Sequence, residues 1–165
     1  MAMNARQILG SAAALASLTA IALAPATAAA SGRGPSAAAI IRAEIRSYDA
    51  QLATVNAHVE AAIDEYDTTK DAATVEAAIG EELTVLRELE STLKADRVGP
   101  HPKIRSAKAH VAAGLGAAIK AYEHLANTFA ELSVSPKAAK KEFRHYRVAI
   151  ERAIRQIHRG DATLG

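Results

Sequence analysis

The 165-residue chain contains no cysteine. That absence removes three explanations at once. No disulfide can staple the fold in an oxidising compartment, no lipid anchor of the bacterial type can be attached, and haem cannot be held through C-x-x-C-H. Methionine occurs only as Met1 and Met3, inside a segment expected to be removed, so a Met/His haem pair is excluded as well. No stretch alternates apolar and polar residues with period two, so no strand is expected. G-x-S-x-G, H-E-x-x-H and a Gly-rich phosphate loop after a strand are all missing. The acidic run DEYDTTKD (64–71) lacks the Gly and spaced ligands of an EF-hand loop, and reads as a helix end and cap. These gaps predict a non-enzymatic protein without a cofactor.

What is present begins with an address. MAMNARQ carries a positive charge at Arg6, and ILGSAAALASLTAIALA adds 17 uncharged, largely apolar residues before Pro25. ATAAAS then offers two small-x-small cleavage frames, Ala26-Thr27-Ala28 and Ala28-Ala29-Ala30. This order marks a secretory signal peptide over residues 1–30. The competing reading, a membrane anchor, is weakened because the run sits at the short edge of the ~17–25 residues that span a bilayer. No adjacent arginines occur, which favours the general export route. The expectation is a secreted or periplasmic protein, cleaved near Ala28 or Ala30, with residues 31–165 as one domain. No later stretch is apolar enough to cross a membrane.

Four segments carry a helical period. The first runs Ile41, Ile45, Tyr48, Leu52, Val55, Val59, Ala62, Tyr66, alternating steps of 4 and 3 as a heptad seam does. The second presents Val75, Ile79, Leu83, Leu86, Leu89 and Leu93, a broader stripe. The third gives Val111, Leu115, Ala118, Tyr122, Leu125, Phe129 and Leu132; the fourth gives Ala139, Phe143, Tyr146, Ile150, Ala153 and Ile157, with Ile154 widening it. Ser36, Thr69 or Asp71, and Ser135-Pro136 supply start signals. Val98-Gly99-Pro100 stops the second segment, Pro102 suits the first turn of the third, and Gly160 is expected to end the fourth.

Helices are thus predicted over 36–66, 72–96, 103–132 and 136–159. Connections of about three to six residues predict neighbours running antiparallel. The fold expected is all-α, an antiparallel up-down-up-down four-helix bundle with the first helix against the fourth. The alternative architecture is two helical hairpins that complete their core only as a homodimer. Gly114 and Gly116 should weaken the third helix by ~1 kcal/mol each relative to Ala, and are expected to mark close packing rather than a kink.

The formal charge of +2 conceals a division. Residues 31–97 hold 7 Lys/Arg against 13 Asp/Glu, whereas residues 98–165 hold 12 against 5. With Phe143 and Ile150 in the core, Lys137, Lys141, Arg144, Arg152, Arg155 and Arg159 project away from it as an outward basic stripe around Val148. Part of this charge is expected to pair with the acidic flank of the first helix, each exposed pair contributing only ~0.2–1 kcal/mol. Base-stacking aromatics are missing from the outer face, and the chain is read as exported, so no nucleic acid is expected. A charge run most commonly means a solvated face; as a binding surface, this stripe fits an anionic polymer, lipid headgroups or an acidic protein better.

The last helix also contains Glu-x-x-His, at Glu142 and His145. Di-iron bundles need two such copies, plus two further Glu, all pointing inward. Only one copy exists, with Glu142 at the flank of the seam and His145 turned outward, so no metal site is expected. None of the six His falls on a seam position, and His110 and His124 are two heptads apart, too far at ~21 Å to hold one ion. The function expected is binding, through the basic face of the last helix. A small-ligand carrier with a cavity beside Gly114 and Gly116, or an extracytoplasmic chaperone or adaptor working as a dimer, is the alternative.

Overall fold

The structure is a computed structural model that describes residues 36–95 and 101–164. The signal-peptide segment and the Val98-Gly99-Pro100 stop lie outside the described residues. Four helices and no strand are found among the described residues: α1 (Ala37–Thr69), α2 (Ala72–Ala95), α3 (Pro102–Leu132) and α4 (Pro136–Leu164). The molecule is a helical bundle.

Local chemistry explains the boundaries. Ser36 is extended, and its Oγ accepts from the Ala39 N–H at 3.2 Å, satisfying one of the free donors at the start of α1. Helix α1 runs three residues past the predicted end, so its connection to α2 is only Lys70 and Asp71. Lys70 makes that turn in the left-handed conformation (φ 59°, ψ 20°), its N–H returning to the Tyr66 carbonyl at 2.9 Å. Asp71 Oδ1 then accepts from Ala73 N–H at 2.9 Å and starts α2. Pro102 opens α3, where its missing N–H costs nothing. Ser135 Oγ accepts from Ala138 N–H at 3.3 Å and opens α4.

Gly160 departs from expectation. It does not end α4, which continues to Leu164. A Cβ at Gly160 would lie 2.6 Å from Val111 Cγ2 and 3.0 Å from the Ala107 carbonyl oxygen of α3. The glycine is therefore a contact point inside the helix. Gly114 mirrors it on α3, where a Cβ would press on Ile157 and come within 3.1 Å of the Ala153 carbonyl. Buried Ala107, Ala117, Ala121 and Ala153 continue this small-residue surface. The α3–α4 pairing is the most extensive in the bundle for that reason: small side chains let the backbones approach.

The larger side chains fill the rest of the core. Ile41, Val59, Ile63, Val75, Ile79, Leu93, Leu125 and Phe129 are fully enclosed, and Phe129 meets Tyr66 edge-to-face at 5.0 Å. Helix α1 packs on α2 and α2 on α3, while α1 touches α3 at a few positions. The expected packing of α1 along α4 is not among the substantial pairings of the described residues. Helix α4 packs chiefly on α3 instead. No helix among the described residues is long and apolar enough to cross a membrane.

Candidate functional site

Helix α4 separates its two faces cleanly. Tyr146, Ile150 and Ala153 are buried and Phe143 packs against the core, so Lys137, Lys141, Arg144, Arg152, Arg155 and Arg159 are all exposed. Their surroundings differ. Arg155 Nη1 lies 3.7 Å from Glu151 Oε2, one turn away on the same helix. Arg144 and Arg152 line a groove of about 640 Å³, whereas Lys137, Lys141, Arg155 and Arg159 lie outside it.

Helix α3 supplies the floor of this groove through Ala112, Ala113, Gly116 and Ala117. One bank comes from α2, with Glu90 and Lys94, whose side chains pair at 2.9 Å. The other comes from α4, with Arg144, His145, Val148, Ala149 and Arg152. Lys120 and His124 complete the lining. Gly116 serves this groove rather than a helix contact; its nearest neighbour is Glu90 Oε1, 3.2 Å from where a Cβ would stand. Val148 is 61 % exposed, an apolar residue between two arginines. The volume falls within the ~300–1,000 Å³ of small-molecule sites. A shallow apolar floor with cations at its edge can hold a ligand that is apolar over most of its length and negative at one end.

A side-chain cluster adjoins the groove. His124 Nδ1 of α3 lies 2.7 Å from Glu142 Oε2 of α4, and His145 Nδ1 lies 4.0 Å from Glu142 Oε1. The two imidazoles meet edge-to-face at 5.1 Å. The His124 hydrogen bond holds the Glu142 carboxyl below its usual range, against the opposing effect of desolvation; the charges of His124 and His145 and a hydrogen bond from Asn127 act in the same downward direction. By sequence, Glu142 and His145 were set aside because the motif has one copy and His145 turns outward, as its exposure bears out. What this left out is the third ligand-type group that α3 brings. The trace was the heptad-spaced stripe Gly114, Ala117, Ala121, His124, Thr128, small and polar residues of which Gly114 and His124 meet α4.

A second polar group was also missed. Glu82 of α2 is only 4 % exposed, and its Oε2 has no hydrogen-bond partner. Burial pushes its carboxyl up to about 7, with the Tyr122 hydroxyl offsetting part of that rise. The same hydroxyl lies 3.4 Å from Asn56 Oδ1, while Asn56 Nδ2 donates to Glu60 at 3.3 Å. Burial, with Glu82, Tyr146 and Glu60 nearby, raises Tyr122 well above the usual tyrosine range. Glu82 was legible after all: Val75, Ile79, Glu82, Leu86, Leu89 and Leu93 form a strict heptad, in which the carboxylate, not Leu83, holds the core position.

The class that fold and site define is an all-α bundle with a cation-edged groove on one flank. No family model, no curated protein and no solved structure matches the chain.

Proposed function

We propose that this is an exported binding protein that takes a small anionic amphiphile into the groove between α2, α3 and α4. The supporting observation is one lining that combines an Ala/Gly floor with Lys120, Arg144 and Arg152. These three have no acidic partner among the described residues. Lys137, Lys141, Arg155 and Arg159 extend the positive field beyond the groove and raise the encounter rate with negative ligands or surfaces. Export rests on the signal-peptide pattern of residues 1–30. The up-down-up-down antiparallel order is supported by cross-pairs such as Tyr48–Thr92 with His58–Glu81, and His110–Gln156 with His124–Glu142. In each set the number rises on one helix as it falls on the next.

The test is binding of a dansyl-labelled long-chain fatty acid, with its neutral methyl ester as control, in the presence of a metal chelator. Saturable binding of the acid, at least about tenfold tighter than of the ester, is expected, and ~0.5 M salt should weaken it by screening the exposed charges. Arg144→Glu with Arg152→Glu should abolish it, while Lys137→Glu with Arg159→Glu should only slow association. Equal binding by the first pair and the unaltered protein, with helicity intact, overturns the groove as the site. Retention on phosphatidylglycerol vesicles but not of the free acid would instead favour a lipid surface spread over the whole stripe.

A further inference from the structure

We propose that His124, Glu142 and His145 form a binding site for a divalent transition-metal ion of the zinc type. One ligand atom from each residue lies within 4.8 Å of the others. Four-coordinate zinc with bonds of ~2.0–2.2 Å places its ligand atoms about 3.3–3.6 Å apart. His124 Nδ1 lies 2.7 Å from one Glu142 oxygen and His145 Nδ1 4.0 Å from the other, separations on either side of that value that side-chain rotation can adjust. Two imidazoles and one carboxylate suit zinc or its first-row neighbours, whereas calcium and magnesium prefer oxygen alone.

The scaffold holds the three groups in place. His124 stands on α3, while Glu142 and His145 are one turn apart on α4. The same two helices are pressed together farther along at Gly114 and Gly160. Asn127 lies near enough to add to the forces that keep the Glu142 carboxyl ionised. Such outer partners typically account for ~10–100-fold in metal affinity. His124 and His145 also line the groove whereas Glu142 does not, so a remaining coordination position opens towards it. Lys120 and Arg144 beside that position oppose a bare cation and favour an anion as the last ligand. The metal site nevertheless stands on its own three ligands, whether or not the groove takes an amphiphile.

The experiment is calorimetric titration of tag-free protein with zinc chloride alone, supported by the absorption of the cobalt-loaded form. One ion per chain is expected, with four- or five-coordinate ligand-field bands for cobalt. Binding should weaken in acid, because the imidazoles must lose their protons to bind. His124→Ala, His145→Ala and Glu142→Gln should each cost about 100-fold or more, since a bonded ligand counts for at least as much as its outer partner. His58→Ala and His158→Ala should leave the isotherm unchanged. No saturable uptake, or uptake that survives loss of both His124 and His145, overturns the site; so does an equal loss in His58→Ala. If His124→Ala does not fold, His145→Ala at its exposed position decides alone.

Discussion

The α1–α2 pair and the α3–α4 pair are built from different material. The buried residues of α1 and α2 are mostly large: Leu52, Val59 and Ile63 on α1, Ile79, Leu86 and Leu93 on α2, with Asn56 and Glu82 buried among them. Between α3 and α4 glycines stand opposite large side chains, Gly114 against Ile157 and Gly160 against Val111, and each glycine also meets the neighbouring backbone. The first pair is held by apolar area, at ~25 cal/mol per Å² buried. The second gains from close approach, where many atoms come into van der Waals contact at ~0.1–0.2 kcal/mol each. Polar groups follow the same division: a buried carboxylate without full pairing in one pair, and His–Glu contacts at the rim in the other.

This contrast can be broken most severely where the halves join. Phe129 of α3 is fully buried against Tyr66 of α1, and Phe129→Ala should cost about 3–5 kcal/mol in urea unfolding. A loss below about 1 kcal/mol would show that this junction does not tie the halves together.

Glu82 comes next. Burial lifts its folded-state carboxyl to about 7 from the ordinary 4.5, so between those values the folded protein binds a proton that the unfolded chain has released. Stability linked to this group is therefore greatest below pH 4.5, falls as pH rises and levels off above about 7, a total of about 3 kcal/mol. Glu82→Gln removes the slope. Measured by unfolding at pH 4 and pH 8, the variant should gain on the unaltered protein at the higher pH. A constant difference would mean that Glu82 is hydrated, not enclosed.

One substitution made in two places sharpens the comparison further. Gly160→Ala should destabilise by about 1–3 kcal/mol, because its methyl group meets Val111 and the α3 backbone. Gly80→Ala, on α2 with nothing within 4 Å, should stabilise by about 1 kcal/mol through helix propensity. Thermal midpoints that move in the same direction would remove the close-approach account of α3–α4.

The smallest effect belongs to Arg87 and Glu123, which link α2 to α3 at 3.0 Å with both side chains about half exposed. A double-mutant cycle should return ~0.2–1 kcal/mol, fading with salt.

The sequence by itself determined the four helices, their approximate limits and the exposed side of α4. These follow from capping chemistry and from a periodicity fixed by 3.6 residues per turn, which act within a few neighbours along the chain. Ser36, Asp71 and Ser135 carried that information, as did the stripe Tyr146, Ile150, Ala153. Partner choice came only with the tertiary structure. Heptad seams of similar hydrophobicity do not say which helix lies beside which; the close approach of Gly114 to Ala153 and Ile157, and of Gly160 to Ala107 and Val111, is what seats α4 on α3 and not along α1. The meeting of His124 with Glu142 and His145 has the same origin. It requires two helices distant in sequence to settle at one rotation and one height, and only close packing between them sets both.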